Sequence, residues 1–243
     1  MKQRTHAILI ALIDRYVKTA RPVGSAALSQ AAQLRLSPNR RVSLQLSPAT
    51  IRAVLQDLES DGYIWQPHTS AGRIPTDQGY RYYVDHIRSR LLGDSELAAM
   101  KQELAELRQR YTHLAQATVR LLSTMSHTVA ISGSSRGNQN SQIAGLPELF
   151  RQLDDGTVET VREISDIVEQ LDEALPELDE KADGGPTVFI GQENPFMSAQ
   201  HTSLIIKRIQ TRGRGVLTVI IVGPKRMAYA RNISLLNALN HIV

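Results

Sequence analysis

The chain has 243 residues, of which 42% are hydrophobic and none is cysteine; this allows one large or two ordinary globular domains and excludes disulfides, thiolate metal sites and cysteine nucleophiles. Residues 1–90 hold thirteen Lys/Arg against six Asp/Glu, whereas the rest hold fifteen against eighteen, within a total charge of +4. Such a division indicates a polyanion-binding segment followed by a segment with another role.

The sequence gives no sign of export or membrane insertion. Its first apolar run, Ala7–Ile13, is too short for a signal peptide and is followed at once by Asp14 and Arg15. No run approaches the roughly 18 consecutive apolar residues that a membrane-spanning helix needs. We expect a cytoplasmic protein with no membrane partner.

The first 45 residues predict two helices and a basic loop. Apolar residues recur at helical spacing from Gln3 to Thr19, and Arg21–Ser25, with its proline and glycine, interrupts the pattern. Ser25 suits the N-cap of a short second helix that fades near Gln33. The stretch Leu34–Gln45 contains three arginines and has no clear period, so we expect a loop there.

A third helix begins after Ser47. A serine hydroxyl can accept hydrogen bonds from the free N–H groups of a first helical turn, and Pro48 has no N–H to leave unpaired there. The apolar residues at i, i+3, i+4 and i+7 predict a buried stripe: Ile51, Val54, Leu55 and Leu58. The residues expected on the opposite face are Ala49, Arg52, Ala53 and Gln56.

The next residues predict a β-hairpin and a fourth helix. Asp61-Gly62 ends the third helix, Tyr63–Trp65 is strand-like, and Pro67–Pro75 has the composition of a hairpin loop with a basic residue near its tip. Thr76 or Asp77 then begins a further helix.

The spacing of apolar residues within 91–130 predicts a connecting helix. From Ser95 to about Met125, leucines and other apolar residues approach a heptad repeat. Helices with such a repeat commonly pair. We therefore expect one long helix that connects two domains and contributes to a homodimer.

Residues 131–243 predict a mixed α/β domain. A polar loop from Ile131 to Ser141 precedes an acidic helical region that ends near Asp183, and Met227–Ile242 predicts a final amphipathic helix. Three strand-like runs lie between them: Thr187–Gly191, Ser203–Ile209 and Val216–Val222. Because three strands are few for a stable sheet, we expect this domain to open before the N-terminal one.

The order of the elements in residues 1–90 is more informative than any single element. Three helices, a strand and a glycine-containing basic loop are typical of a winged helix-turn-helix, whose third helix enters the DNA major groove. The predicted fold class is α+β: a winged helix-turn-helix DNA-binding domain over 1–90, a connecting and dimerisation helix over 91–130, and an α/β domain over 131–243.

Several segments resemble the HrcA family of heat-inducible transcription repressors. The N-terminal segments are PVGS (22–25), LSPATIR (46–52), QPHTSAGRIPT (66–76) and GYRYYVD (79–85). The segments that resemble the family's C-terminal signature are IGQEN (190–194) and GPKRMAYAR (223–231). Because the matches occur at both ends of the chain, the resemblance is highly specific.

The resemblance implies a dimeric repressor that binds an inverted-repeat operator, called CIRCE, upstream of chaperone operons. It also implies that the GroE chaperonin helps to keep the repressor active. It further implies that residues 131–243 form a partial GAF-like regulatory and oligomerisation domain.

The sequence departs from the family at three places. A basic insertion, Ser37–Gln45, separates helices two and three, which a short turn usually joins. Ala53-Val54 follows Arg52 where the family tends to carry Asn-Asp, so an amide that could read adenine is absent. The chain passes from Ile131 to Leu146 in a few polar residues, which leaves out roughly a third of a usual member.

Eight residues are candidates for contact with DNA: Ser47, Ala49, Thr50, Arg52, Gln56, His68, Thr69 and Arg73. Arg52 lies in the first turns of helix three, where a guanidinium can pair with a guanine edge. Arg73, in the loop, is expected to meet phosphates or the minor groove. His68 can contact a phosphate or hold the loop by a hydrogen bond, and for both arginines the alternative is a solvated surface position.

Two other classes of function compete with a repressor. A GAF-like fold can hold a small molecule, but the sequence has no P-loop, no Gly-x-Gly-x-x-Gly and no His-Glu-x-x-His, and its seven histidines lack metal-ligand spacing. We therefore expect no enzyme, metal site or cofactor. The remaining alternative is a winged-helix protein-interaction or small-molecule-sensing regulator that has lost operator binding, and steep salt dependence would favour DNA over it.

Overall fold

The structure, a computed structural model, describes residues 1–29, 34–37, 40–42, 46–69, 71–87, 92–133, 141–148, 158–182, 185–196, 199–211 and 215–243. The chain divides into two compact units, Met1–Arg88 (unit 1) and Ser89–Val243 (unit 2). Both units contain helices and strands, so the fold class is α+β. Among the described residues, no helix is both long and apolar enough to cross a membrane.

Unit 1 combines helices with two small antiparallel sheets. Its helices are α1 (Gln3–Thr19), α2 (Ser25–Ser29), α3 (Pro48–Ser60) and α4 (Asp77–His86). Its strands are β1 (Leu34–Ser37), β2 (Arg40–Val42), β3 (Ile64–Trp65) and β4 (Ile74–Pro75). β1 pairs with β2 and β3 pairs with β4. Val23, between α1 and α2, makes an antiparallel bridge to Arg73, which directly precedes β4.

Helix α1 is at the centre of the unit 1 core. It contacts α2, α3, α4, β1 and β4. Its buried residues are Ala7, Ile8, Leu9, Ile10, Leu12 and Ile13. From α3, Ile51, Leu55 and Leu58 are at most 1% exposed and Val54 is half-buried, which confirms the predicted apolar stripe. The core thus fixes which face of α3 remains in solvent.

The predicted loop Leu34–Gln45 is wrong over part of its length, because it contains the paired strands β1 and β2. The register pairs Leu34 with Val42 and Arg35 with Arg41. Strands of four and three residues are too short to show a sequence period. β1 also contacts α1, and this tertiary packing is not visible in the local sequence.

Unit 2 is built on a five-stranded antiparallel sheet. Its helices are α5 (Asp94–Arg110), α6 (Leu114–Ser126), α7 (Val158–Lys181) and α8 (Tyr229–Leu239). Its strands are β5 (Val129–Gly133), β6 (Gln142–Ala144), β7 (Thr187–Ile190), β8 (Thr202–Gln210) and β9 (Val216–Pro224). The strand order is β6-β5-β9-β8-β7. β8 and β9 pair along their full nine-residue lengths.

Helices cover both faces of this sheet. α7 packs on one face, where its apolar residues join the strand residues Val129, Ile131, Leu204, Ile206, Ile220 and Val222 in one core. The opposite face contacts α6 and α8. Lys207 lies on this second face and donates to the Leu236 carbonyl of α8 at 3.2 Å. The sheet is therefore the middle layer of three.

The prediction of three strands in the C-terminal half is wrong, because the sheet has two more, β5 and β6. β6 has only three residues and begins directly after the segment predicted as polar loop. β5 takes its place between β6 and β9 by pairing with both. The expectation that this domain opens before the N-terminal one depends on a sheet of three strands, so the five-stranded sheet removes its support.

The single helix predicted from Ser95 to Met125 is also wrong, because the chain forms α5 and α6 instead. The backbone is extended at Tyr111 (φ −119°, ψ 124°) and at His113 (φ −98°, ψ 128°). The break lets α5 pack against α6 while α6 packs against β5 and β6. Burial of both helices, rather than a proline or glycine, accounts for the interruption.

Candidate nucleic-acid interface

The first turn of α3 is closed by its own cap. The Ser47 hydroxyl accepts from the Thr50 backbone N–H at 3.1 Å, and the two side-chain oxygens lie 2.9 Å apart. Pro48 occupies the first helical position. This arrangement confirms the predicted start of the helix and holds the Ser47 and Thr50 side chains next to each other.

The face of α3 that points away from the core is small and polar. Ala49, Arg52, Ala53 and Gln56 are all exposed and follow each other at helical spacing. The structure thus brings three of the candidate residues, Ala49, Arg52 and Gln56, onto one exposed face, as the sequence predicted. A helix with one buried stripe and a free polar face can enter a groove of DNA without unfolding.

The charge along α3 is polarised. No Asp or Glu occurs in the sequence between Asp14 and Asp57. The cations within that stretch are Arg15, Lys18, Arg21, Arg35, Arg40, Arg41 and Arg52. The carboxylates of Asp57, Glu59 and Asp61 begin only in the last turns of α3 and just beyond it. A polyanion would therefore meet the N-terminal part of α3 at the lowest electrostatic cost.

The loop between β3 and β4 is braced from within. The Gln66 amide donates to the carbonyls of Thr69 at 3.0 Å and Ala71 at 2.7 Å, and the Ala71 N–H donates to the His68 carbonyl at 2.8 Å. The side chains of His68 and Thr69 are exposed. The backbone of the loop is thus held in place, and these two candidate side chains remain free to meet a ligand.

Arg73 lies at the base of this loop and not near its tip, where the sequence placed it. Its backbone exchanges two hydrogen bonds with Val23, both 2.9 Å. Its guanidinium binds the Glu59 carboxylate at 3.0 Å, and its side chain is only 15% exposed. The structure therefore does not bring Arg73 together with the exposed candidates, because α3 itself supplies its charge partner.

Two residues that support the loop were missed by the sequence reasoning. The sequence does not mark Glu59, since nothing local connects it to an arginine fourteen positions away. Gly72 is one of the residues of the predicted loop, and a Cβ there would lie 2.5 Å from the Val23 backbone and 2.6 Å from that of Pro22. The signal available in the sequence was the Gly-Arg pair itself, which fits a close backbone approach followed by an ion pair.

A cluster of three aromatic side chains joins α1 to α4. The Tyr82 and His86 rings stack with their centroids 3.9 Å apart, and His6 Nδ1 lies 2.9 Å from the Tyr82 hydroxyl. Burial, the neighbouring His86 and the chain's amino terminus lower the pKa of His6. Among the described residues, no group of three or more His, Cys, Asp or Glu could hold a metal ion.

Comparison with known proteins connects this geometry to one family. The sequence profile described as "HrcA protein C terminal domain" matches residues 77–233. This is more than half of the chain, and it includes α4 of unit 1 and most of unit 2.

Curated relatives match the chain in two ways. The heat-inducible transcription repressor HrcA of Brevibacillus brevis is 26% identical over 337 residues, which covers 98% of this chain and 96% of that protein. The proteins of the same name from Geobacter sulfurreducens and Xanthomonas oryzae are 41% and 40% identical over 132 and 137 residues. Each of these two shorter alignments covers only 36% of the relative.

A solved structure has the same fold. The crystal structure of a hypothetical protein at 2.2 Å resolution aligns with the whole chain and with 98% of its own, at a TM-score of 0.67 and 18% sequence identity. At this identity the likeness concerns the fold alone.

Proposed function

The chain belongs to the HrcA family, and from this premise we propose that it is a repressor that binds the operators of chaperone genes through unit 1. The observation that carries the proposal is the α3 surface, in which an apolar stripe that faces the core lies opposite an exposed face within an acid-free stretch of sequence. Such a surface suits a polyanion.

We propose that unit 1 is a winged helix-turn-helix, with α3 as the reading helix and the β3–β4 loop as the wing. Arg52 and Gln56 would meet base edges, since bidentate guanidinium and amide groups discriminate guanine and adenine. Ala49 would pack on a thymine methyl group. The exposed His68 and Thr69 would contact the DNA backbone, together with the capped hydroxyls of Ser47 and Thr50.

Arg73 has a supporting place in this proposal. The sequence predicts that Arg73 meets phosphates or the minor groove, whereas its ion pair with Glu59 favours an indirect role, in which Arg73 fixes the position of the loop. In that role Arg73 contributes to DNA binding by holding the wing against α3.

We propose that the protein acts as a cytoplasmic homodimer on the inverted-repeat CIRCE element, with unit 2 as a partial GAF-like oligomerisation domain. A two-fold dimer matches an inverted repeat because each chain can read one half-site. The family resemblance also proposes the GroE chaperonin as a partner. The alignment with the Brevibacillus protein extends over 337 residues although this chain has 243, which supports a shortened central region.

A gel shift combined with mass photometry tests this function. The full chain should bind a CIRCE duplex as two chains per duplex, and a duplex with one half-site should bind poorly. A scrambled duplex of the same length serves as the control. A monomer that binds one half-site as tightly as the full repeat would contradict the proposal, as would equal affinity for the scrambled duplex.

A further inference from the structure

The β3–β4 hairpin has an exposed indole on its outer face. Ile64 pairs with Pro75 and both are buried, so they lie on the face that packs against the core. Trp65 pairs with Ile74, and successive residues of a strand point to opposite faces, so these two lie on the other side. Trp65 is 47% exposed there, whereas Ile74 is half-buried. The fold of unit 1 therefore leaves about half of a large apolar side chain in solvent.

The exposed surface of this hairpin is small and contains no carboxylate. Between residues 62 and 76 the sequence has neither Asp nor Glu. Among the described residues of this stretch, those with exposed side chains are Trp65, His68 and Thr69. Arg73 is the only Lys or Arg in the same stretch, and its guanidinium is bound to Glu59. A polyanion that meets the hairpin therefore meets no opposing charge, and Trp65 is the largest exposed side chain that it meets.

Trp65 lies close to the two polar residues of the loop that are proposed to contact DNA. It precedes His68 by three positions, and three residues span at most about 10 Å. The Gln66 amide folds the loop back by donating to the carbonyls of Thr69 at 3.0 Å and Ala71 at 2.7 Å. A DNA strand that contacts His68 and Thr69 therefore passes within reach of the indole.

We infer that Trp65 is a further DNA-contacting residue, whose ring packs against a deoxyribose beside the loop and whose indole N–H donates to a phosphate oxygen. Contacts to sugar and phosphate fix the position of a protein on DNA without reading the base sequence. An indole suits them, because its ring is apolar and its nitrogen is a donor only. The inference rests on the proposed function and adds to it a source of affinity that depends on neither base sequence nor salt.

A second copy of the chain fits this surface less well than DNA does. A stable protein–protein interface buries about 800 Å² on each partner, whereas Trp65 and the half-buried Ile74 expose only parts of two side chains. The neighbouring exposed residues, His68 and Thr69, are polar. A single strand of the DNA backbone can use so narrow a contact.

The first test places a cation where the indole lies, and it measures the binding of fluorescein-labelled CIRCE and scrambled duplexes over a KCl series. In Trp65→Lys, a phosphate beside position 65 makes the slope of log K against log salt steeper by about 0.9 per bound chain on both duplexes. Leu146→Lys is the matched control, because Leu146 is 45% exposed and belongs to unit 2. An unchanged slope in Trp65→Lys would overturn the inference, and so would an equal steepening in Leu146→Lys.

The second test removes the indole. Trp65→Ala should weaken binding to both duplexes by about tenfold, because the apolar area that the DNA covers is lost. The salt slope should stay unchanged, since an indole has no charge and releases no counterion. Trp65→Phe, which keeps a ring without the N–H, should lose less affinity, and Leu146→Ala should lose none. A loss confined to CIRCE would indicate base reading and contradict a backbone contact.

The fluorescence of Trp65 reports the contact without any substitution, because this is the only tryptophan of the chain. Acrylamide should quench it readily in the free chain, and saturation with either duplex should lower the quenching constant. An unchanged constant would overturn the inference. A constant that is already low in the free chain, or that falls as protein concentration rises, would show that protein covers the indole and would overturn it too. This measurement decides the question should the variants fail to fold.

These readouts keep the inference separate from the proposed function. If the unaltered chain binds CIRCE and the scrambled duplex equally well, the repressor function fails, whereas the contact of Trp65 is still judged by quenching and by the slope of Trp65→Lys on scrambled DNA. If the chain prefers CIRCE but acrylamide quenches Trp65 equally in the free and bound states, the repressor function stands and the inference fails.

Discussion

The guanidinium of Arg73 donates two hydrogen bonds to one carboxylate oxygen of Glu59, from Nη2 at 3.0 Å and from Nε at 3.3 Å. The pair joins the base of the β3–β4 loop to the last turn of α3, fourteen residues earlier in the chain. It therefore couples the position of the proposed wing to the position of the proposed reading helix.

This coupling predicts that Arg73→Ala and Glu59→Ala weaken operator binding by similar factors. Loss of a charge-assisted hydrogen bond typically costs about 1.5–3 kcal/mol when both groups are well buried. Because Glu59 is 33% exposed, we expect the lower end of this range, which is about a tenfold loss of affinity. Anisotropy titrations should show that the double variant is no weaker than either single one, since both remove the same interaction.

A direct phosphate contact from Arg73 would give a different pattern. Glu59→Ala would then free the cation and leave affinity unchanged or higher, whereas Arg73→Ala would make the salt slope shallower by about 0.9 per chain. That pair of results would contradict the positioning role.

Arg52→Ala should reduce sequence discrimination. Its side chain is exposed on the free face of α3, where loss of a bidentate base contact costs on the order of 1–3 kcal/mol and relaxes preference at one base pair in each half-site. Binding to a panel of single-base CIRCE variants measures this. Arg4→Ala, at another exposed arginine of unit 1, is the control. An unchanged ratio of CIRCE to random-DNA affinity in Arg52→Ala would exclude Arg52 as a reader.

Gly72→Ala should destabilise unit 1, because the new Cβ would lie 2.5 Å from the backbone of Val23. Forced overpacking of this kind costs about 1–3 kcal/mol. Gly24→Ala is a matched control, since nothing lies within 4 Å of a Cβ at that position. Denaturant unfolding can be followed through the only tryptophan of the chain, Trp65, which lies in β3 of the same unit. Equal midpoints for the two variants would show that the close approach is not required.

Unit 1 should lose stability as the pH falls below about 6.5, because burial, His86 and the amino terminus lower the pKa of His6 from 6.5. Between the lowered pKa and 6.5, the unfolded chain binds the proton more readily than the folded one. The free energy of unfolding is therefore unaffected by His6 well above pH 6.5, and it decreases as the pH falls from 6.5 to the lowered pKa. His6→Gln should flatten this part of the stability profile measured through Trp65. A profile identical to that of the unaltered chain would assign the pH dependence to other groups.

Local signals in the sequence predicted the parts of the site that depend on neighbouring residues. The N-cap at Ser47 and the stripe from Ile51 to Leu58 follow from capping and helical period, and both are present in the structure. The exposure of Arg52 and Gln56 follows from the same period. These features need no knowledge of the rest of the chain.

Features that depend on distant residues were not predictable in this way. Three features result from packing between separate elements: the ion pair of Arg73 with Glu59, the close backbone approach of Gly72 to Val23, and the helix break at Tyr111. The three-residue strand β6 is too short for any period to mark it, and only pairing with β5 defines it.

The full-length pairing of β8 with β9 also has a consequence for how heat acts on the molecule. The two strands hold only Lys207 and Arg208 as charged residues, and their apolar residues other than Val216 are buried in the folded sheet. Once unit 2 unfolds, such segments can pair between chains and remove the protein from the refolding pool. Thermal inactivation is then irreversible, and the fraction of protein lost depends on the duration of heating and on protein concentration. A thermal scan at a slower heating rate would therefore report a lower apparent midpoint.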